Sequence, residues 1–268
     1  MKHQSETGEM WREETVTDIL CQHAYPSVRY VRFNPRQEAK VGSDWLWWWR
    51  DTSGTCFGML VQAKSLKQER GKWNIDFNYG KGRQIDRLID TAAILQIPAI
   101  YTIYCGDVTY RRNLTCGFTH SDSCSRCSRA GVSVIDALGA KRLTGAFPDS
   151  VGTWAFQFSS PLEDLADPGR NGTQVISATG PVLSGFLAAP ATKSREIAVK
   201  IYQLATRTII YNFVDQAGIV QRLDSFAPYF LQGWRADLPQ YVEHALNDGN
   251  SAARELPESI AGIVLLEL

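Results

Sequence analysis

The sequence lacks an excess of charge of either sign, since 28 basic and 28 acidic residues balance in a chain of 268. No global field therefore draws the protein onto a polyanion, and nucleic-acid binding would have to use local patches. Long apolar runs are also missing: none approaches the roughly 20 residues of a membrane span, and residues 1–11 lack the apolar stretch of a secretory signal. These absences lead us to expect a cytoplasmic protein with no membrane partner.

Histidine is scarce, with four in the chain, and no Gly-x-Ser-x-Gly motif occurs. No histidine then has an obvious nucleophilic partner, which argues against a serine or cysteine hydrolase. Residues 78–82 resemble a phosphate loop only superficially, because the full Walker pattern is absent. Apolar material is not lacking: 44% of the residues are hydrophobic and eight are Trp, enough to build a real core.

Apolar periodicity in the first part of the chain predicts alternating helices and strands. A first helix is expected before Tyr25-Pro26, then a three-stranded meander with a turn at residues 51–54, then an amphipathic helix followed by an added parallel strand. The predicted helices are Glu9–His23 and Arg83–Ile97, and the predicted strands are Val28–Phe33, Asp44–Trp49, Cys56–Leu66 and Ala99–Tyr104.

The second part is less regular, although its end is expected to rejoin the same sheet. We divide a single α/β domain, 1–268, into a core (9–104), a Cys-rich insertion (105–131), a flexible Gly/Ala/Ser-rich loop (167–192) and a C-terminal helix and strand (193–268). Within it, Val134–Leu143 and Arg195–Tyr211 are predicted helices, and Ile260–Leu268 is a predicted buried strand.

Polar residues interrupt the apolar strands at a few positions. Successive side chains of a strand alternate between its faces, so Gln62 and Lys64 point the same way. On the preceding strand, Asp44 shares a face with Leu46 and Trp48. If the two strands pair across the turn at residues 51–54, Asp44 lies within reach of Gln62.

These residue types suit metal-assisted hydrolysis of a phosphodiester. Mg²⁺ lowers the pKa of bound water and prefers oxygen ligands, here the carboxylate of Asp44, the amide oxygen of Gln62 and the carboxylate of Glu14 on the first helix. Lys64 can orient the water or stabilise phosphate charge. Gln84, at the core-facing edge of its helix, could face the same site.

In this order, the helix-borne Glu14, the Asp of Gly42-Ser43-Asp44 and the Gln62-Ala63-Lys64 triplet resemble the three motifs of the PD-(D/E)xK nuclease superfamily. Gln in place of the second acid looks like the Mrr-type branch, and Gln84-Ile85-Asp86 adds to a likeness with a family of bacterial proteins of this type. The resemblance implies a restriction-endonuclease-like mixed sheet flanked by helices, cleavage of DNA with Mg²⁺ or Mn²⁺, and a role in defence against foreign DNA.

Two alternatives remain beside a DNA endonuclease. RNA could be the polymer, because the same chemistry serves both and nothing in the sequence reads a 2′-hydroxyl. A second alternative is a nuclease-like fold without turnover that binds nucleic acid or a partner protein, since fold does not guarantee chemistry. A homodimer would suit cutting of both strands, and a partner protein of a defence system is the other candidate partner.

A second metal site is a candidate in the Cys-rich insertion. Zinc is held tetrahedrally by four Cys or His ligands, and a Cys-x-x-Cys pair commonly supplies two of them. Free buried thiols are the alternative. The candidate ligands are Cys116, His120, Cys124 and Cys127, with Cys105 as the alternate.

Two further groups have both a structural and a functional interpretation. The four tryptophans between residues 45 and 49 could stack on bases, but alternation favours burial in a core. A run of basic residues after the Gln-x-Lys strand could contact phosphates or form a solvated charged face. That run comprises Lys64, Lys67, Arg70, Lys72, Lys81, Arg83 and Arg87.

Overall fold

The computed structural model describes residues 19, 22–23, 28–33, 44–69, 72–107, 110–111, 129, 131–148, 150–162, 192–210, 231–248, 256–257 and 260–268. Within these ranges the chain forms one α/β domain with a mixed eight-stranded sheet, a separate two-stranded hairpin and five helices. No helix of this part of the chain is long and apolar enough to cross a membrane.

The elements are labelled in chain order. The strands are β1 (Val28–Arg32), β2 (Asp44–Arg50), β3 (Cys56–Ser65), β4 (Lys67–Glu69), β5 (Lys72–Asn74), β6 (Ala99–Tyr104), β7 (Val132–Asp136), β8 (Ser160–Pro161), β9 (Trp234–Arg235) and β10 (Ile260–Glu267). The helices are α1 (Arg83–Leu95), α2 (Ala137–Ala146), α3 (Val151–Phe158), α4 (Lys193–Ile210) and α5 (Gln240–Asp248).

The β2–β3 hairpin is the centre of the sheet, and both of its faces are buried. Trp48 and Leu46 pack in one core with residues of α1, α2, α3 and α5. The intervening Trp45, Trp47 and Trp49 pack in a second core with α4. The core interpretation of these tryptophans is therefore confirmed.

The order of strands in the large sheet is β1-β10-β2-β3-β6-β7-β8, with β9 pairing with β3. The predicted meander of β1, β2 and β3 is wrong in its first step, because β10 lies between β1 and β2, antiparallel to the former and parallel to the latter. The burial of β10 explains this: its first six residues are all buried. A strand that is apolar on both faces requires an interior place, whereas β1 is only partly buried and lies at the edge.

The helix and added strand after the hairpin are confirmed. Strand β6 pairs with β3 in parallel, and α1 connects the two strands. The helix ends at Leu95, its C-cap Gln96 has a left-handed φ of 55°, and Pro98 two residues later cannot continue a helix.

The prediction for Val134–Leu143 is half wrong. Val132–Asp136 is a strand antiparallel to β6, and the helix begins only at Ala137. The β-branched residues of this segment favour the sheet. Asp136 marks the boundary, because its side chain accepts a hydrogen bond from the Gly139 backbone N–H at 2.8 Å. The amphipathic helix predicted at Arg195–Tyr211 is confirmed as α4.

Three predicted segments lie largely outside the described residues. Of the first helix, Ile19, Gln22 and His23 are described, and all three are helical. The insertion 105–131 is described only at its two ends and at residues 110–111 and 129. Of the loop 167–192, only Thr192 is described.

Candidate functional site

The polar positions of the hairpin come together in its register. Strand β2 runs antiparallel to β3, and Asp44 is the direct cross-strand partner of Gln62. Directly opposed residues have Cβ atoms roughly 4.5–5.5 Å apart. On the other side of β3, the parallel pairing with β6 places Gln62 beside Tyr101 and Lys64 beside Ile103.

Lys64 is the centre of the described site. It is 9% exposed, and among the side chains that the structure describes it is the only buried lysine or arginine. Its cross-strand neighbour on β6, Ile103, belongs to the apolar core. Burying an ammonium group in such surroundings is costly unless the group is hydrogen-bonded.

Gln84 supplies such a hydrogen bond. The Nζ of Lys64 donates to the Oε1 of Gln84 at 2.6 Å. Gln84 is the second residue of α1, so the start of this helix lies against the end of β3. The structure thus brings Lys64 and Gln84 together, and the register adds Gln62 and the Asp44 position next to them.

A tightly turned loop leads into α1 and sets where the helix begins. Gly80, Lys81 and Gly82 have φ values of 67°, 62° and 82°, and a left-handed conformation is uncommon for a residue such as Lys81. The loop is closed by two hydrogen bonds, from the Gly82 backbone N–H to the Asn78 carbonyl at 2.9 Å and from the Arg83 Nε to the Gly80 carbonyl at 3.0 Å. Strained backbone of this kind is often found at functional sites.

Tyr79 lies in this loop and was not singled out from the sequence. Its ring centroid is 5.9 Å from the Nζ of Lys64, within the range of a cation–π contact. The residue is 64% exposed. Its signal in the sequence is an aromatic residue set between turn-forming residues immediately before a helix.

Oxygen donors in the register fit a hard cation in type, because Asp44 has a carboxylate and Gln62 an amide oxygen. Glu14, the third predicted ligand, lies outside the described residues. Within the described part of the chain, no group of three or more His, Cys, Asp or Glu side chains could hold a metal ion. The magnesium prediction depends on oxygen ligands from Asp44 and Gln62 and on a third ligand, Glu14.

Four of the candidate zinc ligands, Cys116, His120, Cys124 and Cys127, lie outside the described residues. Cys105 is described and is fully buried; its thiol donates to the Asp107 carbonyl oxygen at 3.7 Å. Burial raises the pKa of the Cys105 thiol to about 12. Cys105 is thus a free buried thiol in the described part of the chain, and the zinc site, with Cys105 as its alternate ligand, stays a prediction.

The basic residues that follow β3 are exposed where their side chains are described. All four of them are exposed: Lys67, Lys81, Arg83 and Arg87. The Arg83 Nε also donates to the Gly80 carbonyl oxygen in the loop before α1. These four basic residues lie on β4, on the loop before α1 and in the first two turns of α1, the elements that follow β3 along the chain.

A second polar cluster, around Asp51, was read from the sequence only as a turn. Asp51 is 8% exposed, and its carboxylate accepts from the Ser53 hydroxyl, from the Thr55 hydroxyl at 2.6 Å and from the Ser194 hydroxyl at 2.7 Å. Burial alone would raise the pKa of Asp51, but the hydroxyl donors reverse this and hold it below its usual range. The cluster joins the β2–β3 turn to the start of α4.

No curated protein and no solved structure matches the chain. A sequence profile does match it over nearly its whole length, residues 1–267. The chain therefore belongs to the family of unknown function DUF6615.

Proposed function

We propose that this chain is a metal-dependent endonuclease of the PD-(D/E)xK type, with a restriction-endonuclease-like fold, that hydrolyses phosphodiester bonds of DNA in defence against foreign DNA. The observation that carries the proposal is the register that pairs Asp44 with Gln62 and leaves Lys64 two residues further along the same strand. A hairpin of β2 and β3, followed by α1 and a parallel β6, is the support from the fold.

Asp44 and Gln62, with Glu14 from the preceding segment, would hold the cation. When bound, Mg²⁺ or Mn²⁺ lowers the pKa of a coordinated water and neutralises phosphate charge. Hydrolysis then forms a bond between a water oxygen and phosphorus, breaks the bond from phosphorus to one sugar oxygen, and transfers a proton to that leaving oxygen.

Lys64 has the chemistry to bind the phosphate during this step. Its ammonium group has three N–H donors and donates one hydrogen bond to Gln84; in this proposal the ammonium group also binds the phosphate oxygens as negative charge develops. A fixed donor in a water-poor site stabilises such charge more than a mobile one in water. In this proposal Gln84 is a positioning residue, because it accepts a hydrogen bond from the Lys64 ammonium group and so holds that group in place.

The exposed basic residues that follow β3 extend this interaction to the rest of the polymer. Lys67, Lys81 and Arg87 are exposed on the elements that follow β3, and in this proposal they would contact phosphates that flank the cleaved one. Because the chain as a whole is neutral, binding is expected to depend on this local patch and to weaken steeply with salt.

The test is incubation of the purified protein with plasmid, linear duplex, single-stranded DNA and RNA, each with Mg²⁺, Mn²⁺ or a chelator. Cleavage that requires the metal and is lost in Asp44→Ala and Lys64→Ala supports the proposal. Lys193→Ala is the matched control, since Lys193 is exposed at the start of α4, which covers the opposite face of the sheet. Absence of metal-dependent cleavage of every polymer, or cleavage that persists in both site variants, would refute it. Cleavage of RNA alone would keep the metal-dependent nuclease but make RNA, and not DNA, its substrate.

A binding module without turnover is the second candidate, favoured by one residue. Gln62 stands where a second carboxylate is common, and a neutral amide attracts a cation less strongly. A calorimetric titration with Mg²⁺ or Mn²⁺ separates the two functions. Heat of binding that disappears in Asp44→Ala favours the enzyme, whereas affinity for nucleic acid without any metal response favours the module.

A further inference from the structure

The loop before α1 presents an aromatic ring beside the candidate phosphate-binding lysine. From this placement we infer that Tyr79 stacks on an unpaired base adjacent to the phosphate held at Lys64, so that the substrate is single-stranded or contains unpaired nucleotides at the cleavage point. The inference rests on the proposed function and narrows its substrate class.

Three observations distinguish Tyr79 from an ordinary surface tyrosine. Its ring lies 5.9 Å from the Lys64 Nζ, so a phosphate bound there places the nearest base within reach of the ring. It is 64% exposed, so much of the ring is open to a ligand. Its loop is closed by hydrogen bonds from Gly82 and Arg83, which reduce the entropy lost when a base is bound.

The other tyrosines near the site differ in burial. Tyr101 and Tyr104 on β6 are 0% and 4% exposed, and the Tyr101 ring packs on Phe77 with 4.8 Å between centroids. A tyrosine whose role was to shield Lys64 would be expected to bury its ring in a similar way. The exposure of Tyr79 instead leaves a flat aromatic surface next to a buried cation.

The chemistry of this surface selects an unpaired base. In a duplex, each base is already stacked between its neighbours, so its faces are offered to a protein only after the base is unstacked, at a cost of a few kcal/mol. In a single strand, aromatic stacking costs little and is tolerant of sequence. The basic residues Lys67, Lys81 and Arg87 nearby would hold the backbone while the ring holds the base.

The test measures binding and cleavage separately. Fluorescence polarisation with a labelled single-stranded oligonucleotide and with a duplex of the same length, both in chelator, gives affinity without turnover. Tyr79→Ala should weaken single-strand binding roughly five- to hundred-fold and leave duplex binding nearly unchanged. Tyr79→Phe keeps the ring and should retain the wild-type affinity. Ile94→Ala is the control, because Ile94 is the other large apolar side chain that is exposed in the described part of the chain, at 75%.

A second measurement reports on the stacking itself. An oligonucleotide with 5-iodouracil crosslinks under ultraviolet light to an aromatic ring stacked on it, and mass spectrometry of the wild type should place the crosslink on Tyr79. A crosslink elsewhere, equal single-strand affinity of Tyr79→Ala and wild type, or loss of affinity in Tyr79→Phe would overturn the inference.

The outcomes also separate this inference from the proposed function. If wild type and Tyr79→Ala show the same metal-dependent cleavage and the same single-strand affinity, the stacking inference is refuted and the proposed nuclease function stands. Strand-selective binding that depends on Tyr79, without cleavage under any condition, removes the nuclease and keeps the stacking surface. A wild-type protein that binds no nucleic acid removes both.

Discussion

Lys64 on β3 and Gln84 on α1 are joined by a hydrogen bond of 2.6 Å from Nζ to Oε1. The bond connects the end of the central strand β3 to the first turn of α1, which packs on the sheet. Lys64 is buried and Gln84 is half-buried, and taking polar groups out of water in this way costs free energy of folding. A protein that required only a stable core would gain by replacing both with apolar side chains of similar size.

The first prediction concerns the effect of this polar pair on stability. The double variant Lys64→Met, Gln84→Leu should be as stable as the wild type or more stable, because the buried ammonium group and its half-buried acceptor are removed together. Gln84→Ala alone leaves the ammonium group without this acceptor and should lower the free energy of unfolding by about 1–3 kcal/mol. Urea denaturation of the three proteins checks this, and a double variant less stable than Gln84→Ala would contradict it.

The same variants separate a positioning role from a purely structural one. If cleavage is observed, Lys64→Met should lower its rate on the order of 10²- to 10³-fold, the effect of losing one charge-stabilising donor. Gln84→Ala should lower it roughly 10- to 100-fold. Gln84→Glu keeps an acceptor for the ammonium group and should recover most of that loss. Failure of Gln84→Glu to exceed Gln84→Ala would assign Gln84 no positioning role.

The second prediction concerns the cluster around Asp51. Asp51→Ala removes the acceptor for the hydroxyls of Ser53, Thr55 and Ser194 and should cost about 2–3 kcal/mol of stability at pH 7, the scale of hydrogen bonds to a charged group. Because the pKa of Asp51 is held below its usual range, this contribution is present above pH 4 and is lost as pH falls through the folded-state value.

Denaturation at pH 7 and at progressively lower pH tests this sign. The difference in free energy of unfolding between wild type and Asp51→Ala should shrink as the pH falls. Asp90→Ala, which removes an exposed carboxylate on α1, should differ little from the wild type throughout. A difference for Asp51→Ala that grows toward acid pH would be inconsistent with the cluster.

Asp136 gives the third prediction, with the opposite sign. Burial raises the pKa of Asp136 to about 7, although the backbone N–H of Gly139 and the charge of Arg142 act to lower it. A folded-state pKa above the unfolded value means that the group's stabilising contribution is complete below about pH 4 and is lost as pH rises toward 7.

Asp136→Asn should therefore remove this pH dependence while it keeps a side-chain oxygen for the helix cap, since Asn is as good an N-cap as Asp. Relative to the wild type, the variant should gain stability between pH 4 and pH 7, by up to about 4 kcal/mol. Asp90→Asn removes a similar charge away from the cap and serves as the control. A stability difference between Asp136→Asn and wild type that is constant with pH would contradict the prediction.

The local pattern of the sequence was sufficient for much of this fold. Alternation along β2 predicted that tryptophans of this strand are buried in a core, and the turn at residues 51–54 predicted the β2–β3 pairing that places Asp44 opposite Gln62. The helix before Pro98 and its parallel strand were equally clear. Each of these depends on contacts that are close in sequence.

The features that the sequence did not reveal depend on distant contacts. The position of β10 between β1 and β2 is decided by segments more than 200 residues apart, and no local period carries that information. The Asp51 cluster likewise needs Ser194 from α4. Tyr79 could be read as a turn residue only, until the loop placed its ring beside Lys64.

The fourth prediction tests the position of β10 directly, through Gly262. A Cβ added at this residue would lie 2.5 Å from the Val31 carbonyl oxygen on β1 and 2.6 Å from the Trp45 ring on β2. Gly262→Ala should therefore lower the free energy of unfolding by about 1–3 kcal/mol through overpacking.

The matched control is Gly145→Ala on α2, where an added Cβ meets nothing within 4 Å. An alanine in a helix is favoured over glycine, so this variant should gain about 0.5–1 kcal/mol. Chemical denaturation of the two variants beside the wild type gives the comparison. If Gly262→Ala were as stable as Gly145→Ala, β10 could not run between β1 and β2 at this spacing, because the backbone of one strand and the tryptophan of the other leave no room for a methyl group.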